Sequence, residues 1–173
     1  HKMIVCVGPK GSGKTALLKC LQQRLSGKGR NVELRDTRPT IGVNMTLLKI
    51  SKNKMCQVRE VGGEMVPFLH QQTSDATGLM FVADSSNVFQ FGETYVTLLD
   101  LLTLENLKNV PFLLVFSKTD ANQAVPLEEY KDAMRLADVL SAAAQDIATV
   151  ETSSLTGYGM DEIIEWLSRI PTG

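Results

Sequence analysis

Cystine frameworks, metal clusters and excess charge are all absent from this chain. Its three cysteines, Cys6, Cys20 and Cys56, stand far apart in or beside apolar stretches. No pair has redox-motif or metal-ligand spacing. An odd number of core-like thiols suits a reducing compartment, so a cytoplasmic location is expected. The net charge is only −1, which argues against a broad nucleic-acid-binding face or a polybasic membrane clamp. No apolar run reaches transmembrane length and no signal peptide is visible. There is no Met-Gly acylation signal, and Ile170-Pro171-Thr172-Gly173 is no prenylation box, so no intrinsic membrane anchor is expected. Repeats and low-complexity tracts are missing too. What is present is an ordinary globular composition, 43% hydrophobic and 21% charged over 173 residues. The expectation is a single domain over 1–173, monomeric alone, burying roughly 70% of the surface of its unfolded form.

Gly8-Pro9-Lys10-Gly11-Ser12-Gly13-Lys14-Thr15 fits the phosphate-binding pattern Gly-x-x-x-x-Gly-Lys-Ser/Thr. Glycines allow a concave nest of N–H groups aimed at one anion, and the helix opening at Gly13 adds its positive end. The expected nucleotide contacts here are Gly8, Lys10, Gly11, Ser12, Gly13, Lys14, Thr15 and Ala16. Lys14 would place a point charge on the outer phosphates, and the Thr15 hydroxyl would ligate magnesium. The flanks match: Met3-Ile4-Val5-Cys6-Val7 reads as a buried strand, and Leu17, Leu21 and Leu25 fall at helical spacing.

Beyond this loop the chain alternates. Val43 to Ile50 and Met55 to Val61 read as a hairpin across the turn Ser51–Lys54. Gly78–Asp84, Pro111–Ser117 and Ile147–Thr152 read as strands. Gly92–Lys108, Leu127–Leu140 and Met160–Ile170 read as helical stretches. Such alternation predicts parallel strands between helical layers, with ligand outside the carboxyl ends of the strands. The polar signatures lie at those ends.

Thr40, in the loop Thr37–Gly42, would offer its hydroxyl to the same magnesium and order its segment only while the last phosphate is attached. Glu60 would hold magnesium directly or through water, Gly62 would let the backbone approach the phosphate, and Glu64 follows where a water-orienting residue would sit. The predicted catalytic group is therefore Lys14, Gly62 and Glu64, with Gly63 completing the phosphate contact. Asp120, in Ser117-Lys118-Thr119-Asp120, would accept hydrogen bonds from guanine N1 and N2 while the Lys118 stem covers the base and its amine stays wet. Ser153 and Ser154 would offer backbone N–H groups to the base carbonyl. On residue type alone each has a plainer reading, as turn threonine, turn glycines or solvated acid. Lys49, Lys52 and Lys54 read as a solvated edge, His70 as a surface residue, and Ile163, Trp166, Leu167 and Ile170 as core. Met65, Val66, Phe68 and Leu69 form an apolar cluster that reads as core first and as a partner surface second.

Together these motifs resemble a small GTPase over essentially the whole chain. Glu60–Glu64 stands for Asp-x-x-Gly, Ser117–Asp120 for Asn-Lys-x-Asp, and Glu151-Thr152-Ser153-Ser154 for Glu-Thr-Ser-Ala. Pro39–Asn44 and Gly62-Gly63 resemble the ADP-ribosylation factor-like branch. The resemblance implies an α/β P-loop NTPase fold of small-GTPase type: a mostly parallel six-stranded sheet with one antiparallel strand and helices on both faces. It implies a GTP/GDP-binding, Mg2+-dependent switch that meets effector and regulatory proteins at its switch regions and regulates intracellular or membrane trafficking. Departures imply slow or impaired hydrolysis. Glu60 replaces aspartate, and Glu64 replaces a water-positioning glutamine, where it would act as a base or repel phosphate. Ser117 replaces the asparagine that ties the base loop to the P-loop, which implies nucleotide held less tightly. Lys10, in place of aspartate, would stabilise the last phosphate or obstruct an activating arginine. The aromatic residues that grip effectors correspond to Val43, Arg59 and Gln72. Two rivals stand beside this reading. One is a pseudo-GTPase scaffold without a nucleotide cycle; the other is a P-loop kinase, which lacks here the arginine-rich lid it needs.

Overall fold

A computed structural model of the chain describes residues 3–27 and 42–171. The apolar runs form six strands: β1 (Met3–Val7), β2 (Val43–Ser51), β3 (Lys54–Val61), β4 (Ala76–Asp84), β5 (Phe112–Ser117) and β6 (Ile147–Glu151). They make one sheet in the order β2-β3-β1-β4-β5-β6. β2 is antiparallel to β3, and every other pair is parallel. This is the architecture that the alternation and the resemblance predict.

Because successive side chains point to opposite faces, β1 supplies two cores at once. Ile4 and Cys6 pack with Leu17, Leu18 and Leu21 of α1 (Lys14–Ser26) and with Ile163, Trp166 and Leu167 of α6 (Met160–Arg169). Met3, Val5 and Val7 face the other layer, with α2 (Leu69–Gln72), α3 (Phe91–Thr103) and α4 (Leu127–Ala133). Fully burying one such side chain contributes about 1.5–3 kcal/mol, so two covered faces are what make β1 a continuous apolar run.

The structure departs from the sequence reading in particular places. The predicted helix over Leu127–Leu140 is two, α4 and α5 (Leu136–Ala142), separated by Arg135 in the left-handed region at φ 50°. Hydrophobic spacing runs through that break, which hides it. The leucine-rich stretch ends as a helix at Thr103 and continues as a 3-10 turn, Glu105–Leu107. The first helix begins at Lys14, with Gly13 as its cap. Lys54 is no solvated edge residue: its ammonium donates to the Ser168 and Ile170 carbonyls at 2.6 and 2.7 Å, capping the end of α6. Lys49 and Lys52 are exposed as expected, and so is His70. Leu69 is core and Phe68 is 47% exposed, so the cluster after the paired glycines divides between the two readings. Among the described residues no helix is long and apolar enough to cross a membrane.

Candidate functional site

The loop from Gly8 to Gly13 leaves β1 and feeds α1, with Gly11 and Gly13 in the left-handed region, and the first backbone amides of the helix have no partner within it. Lys14 folds back over it, buried, and donates to the Gly8 and Pro9 carbonyls at 2.8 and 2.9 Å. An ammonium has three hydrogens, so one is left for an anion. Burial pushes the Lys14 pKa below its ordinary 10.5, with the nearby carboxylates Glu60 and Glu64 opposing. Beneath it, burial pushes the Cys6 thiol up to about 12, so it stays a neutral packing group. Ser12 is fully buried, and its hydroxyl finds no partner among the described residues. A spare ammonium hydrogen and an orphaned buried hydroxyl in one loop fit a phosphate group.

Thr15 and Glu60, the oxygens proposed for the metal, meet directly: the Thr15 hydroxyl donates to Glu60 Oε1. Glu60 is 2% exposed near the end of β3, opposite Cys6 of β1. No group of three or more His, Cys, Asp or Glu able to hold a metal exists among the described residues. A hydroxyl and one carboxylate instead suit magnesium, which keeps waters and substrate phosphate as its other ligands. Thr40, the third proposed ligand, lies outside the described residues.

The paired glycines after β3 lie against the phosphate loop. A Cβ on Gly63 would stand 2.5 Å from the Lys10 amide nitrogen, so Gly63 is a position of close approach between two backbones. Gly62 N–H donates to the Gly42 carbonyl at 2.8 Å. Gly42 N–H in turn donates to the Glu64 carboxylate, and this bond chiefly holds that carboxyl below the usual glutamate range. Glu64 is thus an anion engaged by the segment preceding β2. Arg59 spans from β3 to the start of β4, donating to the Gln72 carbonyl at 2.8 Å and to both Asp75 oxygens at 2.6 and 2.9 Å. The structure therefore brings Arg59 and Gln72 together by a polar link.

On the base side, Ser117 Oγ donates toward the Ser12 carbonyl at 2.6 Å, with the Ala83 carbonyl at 3.2 Å. The residue standing in the asparagine's place thus makes a bond of its own to the phosphate loop. The Lys118 amine is not simply wet: it donates to the Gly11 carbonyl and to Asp84, each at 2.7 Å. Thr119 donates its N–H and hydroxyl to the Thr152 carbonyl, joining the two base loops at 3.1 and 3.0 Å. Asp120 is exposed, and no hydrogen bond or ion pair engages it among the described residues. Ser153 corrects its sequence reading. It is 1% exposed and its N–H donates to the Tyr158 carbonyl, so that N–H braces the loop.

Two further residues had no assigned role in the sequence reading. Asp84 ends an apolar strand, the one available signal. Gln90 donates to the Lys10 carbonyl at 2.6 Å from before α3, and no motif marks it.

A strand–loop–helix phosphate cradle, with base-side loops tied to it by Ser117 and Lys118, defines a P-loop nucleotide-binding domain. Comparison with known proteins narrows the class. The model of the ADP-ribosylation factor family matches residues 1–170, and the chain belongs to that family. It is 37% identical to human ADP-ribosylation factor-like protein 16 over 169 residues, covering 96% of this chain and 85% of that one. It is also 26% identical to ADP-ribosylation factor-like protein 3 of Saccharomyces cerevisiae, covering 95% and 82%. Among solved structures it resembles the Arl6 BBS3 small GTPase of Trypanosoma brucei with bound nucleotide analogue GppNp. That match has a TM-score of 0.79 and 20% identity, covering 99% of this chain and 100% of that one.

Proposed function

We propose that this chain is a cytoplasmic guanine-nucleotide switch that binds GTP and GDP with Mg2+, hydrolyses GTP slowly, and engages trafficking effectors in its GTP state. The observation that carries the reading is the joining of three strand-end loops. Ser117 and Lys118, at the end of β5, reach Ser12 and Gly11 after β1, and Thr119 reaches Thr152 after β6. One ligand with phosphates at one end and a base at the other fits that span.

In this reading Lys14, Ser12 and the loop amides bind phosphate, and Thr15 with Glu60 holds the metal, joined by Thr40. Magnesium would neutralise charge on the phosphates. Asp120 accepts two hydrogen bonds from guanine, which adenine cannot supply, and an unpaired acceptor makes that discrimination large. Slow hydrolysis follows from Glu64. Its carboxylate is an anion bound to Gly42 N–H, so it has to leave that partner before it can orient water. Gly63 against Lys10 makes the segment after β3 sensitive to what the phosphate loop holds.

Calorimetric titration of nucleotide-stripped protein with GDP, GTP and ADP, with and without Mg2+, tests this reading. Binding of both guanine nucleotides with little heat from ADP is expected, with intrinsic hydrolysis at or below about 10⁻³ per second. Absence of heat from any nucleotide leaves the scaffold reading standing, and a preference for ATP favours the kinase.

A further inference from the structure

Asp84 is the last residue of β4, paired in register with Ser117 of β5, and is only 4% exposed. A carboxylate that deep costs several kcal/mol unless it is paired and hydrogen-bonded. Its two carboxylate oxygens have different partners, one local and one on the base loop. Its Oδ1 accepts from the Ser86 N–H at 2.9 Å and the Ser86 hydroxyl at 2.6 Å. Its Oδ2 accepts from Lys118 at 2.7 Å. Lys118 itself has an unusual backbone, at φ 58°, a conformation that disfavours a side chain with a Cβ and persists only where surroundings impose it.

The lysine is stretched between two anchors. Its ammonium bridges Asp84 and the Gly11 carbonyl, while its Cε lies 3.7 Å from where a Cβ on Gly13 would stand. The stem therefore crosses the opening of the phosphate loop, and its side chain remains 42% exposed. A flexible four-carbon chain normally samples many rotamers, and ordering it costs conformational entropy. Two charge-assisted bonds hold this one in advance.

We propose that Asp84 is a positioning residue of the base pocket, holding the Lys118 ammonium inward so that the lysine stem forms a fixed platform for the guanine ring beside Asp120. The inference rests on the guanine-nucleotide reading above. It assigns a nucleotide-affinity role to a buried strand-end carboxylate acting through Lys118.

The test is a double-mutant cycle on the full chain, with Asp84→Asn, Lys118→Met and the pair. GDP and GTP affinity should each fall at least tenfold in D84N, equally for both nucleotides, because the base is shared. In the K118M background, adding D84N should change affinity less than twofold. A merely structural Asp84 would cost the same with or without Lys118, and that result overturns the proposal, as does unchanged affinity in D84N. Melting of the nucleotide-free proteins gives a second reading. K118M strands a buried carboxylate, so its melting temperature should fall, and adding D84N should raise it again; a further fall contradicts the pairing. If D84N alone does not fold, the K118M and K118M/D84N pair still decides by this measure. Wild-type protein that binds no GDP overturns both readings, whereas wild-type binding with an additive cycle overturns only this one.

Discussion

The Ser117 hydroxyl lies 2.6 Å from the Ser12 carbonyl oxygen, across 105 positions of sequence. A hydroxyl has a single hydrogen, so this bond and the longer one to Ala83, at 3.2 Å, compete for it. One proton therefore carries the Ser117 link to the phosphate loop, beside the Lys118–Gly11 bond.

Removing it should loosen the site. Ser117→Ala leaves the Ser12 carbonyl without its donor, a loss of about 1–1.5 kcal/mol, or roughly five- to tenfold. GDP release followed by fluorescence should accelerate by that factor. An unchanged release rate would show that the loops hold together without the hydroxyl.

Gly63 tests the approach of the segment after β3 to the phosphate loop. The methyl group of Gly63→Ala would meet the Lys10 backbone at 2.5 Å, too close to absorb without displacement. GTP affinity should drop by about tenfold while GDP affinity changes little, since overpacking costs about 1–3 kcal/mol and bears on the state with the last phosphate attached. Equal losses for both nucleotides would contradict this.

Lys54 separates stability from binding. Its two bonds to the carboxyl end of α6 satisfy carbonyls that have no partner within the helix. Lys54→Met should cost about 1 kcal/mol, seen as a fall of about 2–4 °C in melting temperature. Calorimetric GDP affinity should not change.

The Arg59–Asp75 pair sets a pH dependence. Arg59 holds the Asp75 carboxyl below its ordinary 3.8, so the stabilisation is present above that value and is lost as pH falls through the lower, folded-state value. Asp75 is 37% exposed, so solvent screening keeps the effect below about 1 kcal/mol. The melting-temperature difference between wild type and Arg59→Gln should be largest near neutral pH and shrink below pH 3.8. A difference that persists unchanged in acid would assign the effect to the Gln72 contact alone.

These tests fall partly where the sequence was legible and partly where it was not. The phosphate loop and the strands were readable because each obeys a local rule, in glycine spacing or in burial of both strand faces. Even the polar strand ends stood out against their apolar runs. The roles of Lys54, Gln90 and Asp84 were not readable, because each is fixed by a partner distant in the chain: 116 positions from Lys54 to Ile170, 80 from Gln90 to Lys10, 34 from Asp84 to Lys118. Arg135 escaped for the opposite reason, since a single left-handed residue changes direction without disturbing the hydrophobic spacing. Ser153 and Ser154 look alike in sequence, and only the Tyr158 carbonyl marks Ser153 as the brace.

The most direct measurement is to release, identify and count the nucleotide carried by freshly purified protein, wild type beside Lys14→Ala. Stoichiometric guanine nucleotide is expected from the wild type and almost none from Lys14→Ala, because the buried Lys14 ammonium is bonded over the loop with a hydrogen left for phosphate. Adenine nucleotide, no nucleotide at all, or the same guanine content in both proteins would contradict the claim that this loop holds the phosphates of GTP and GDP.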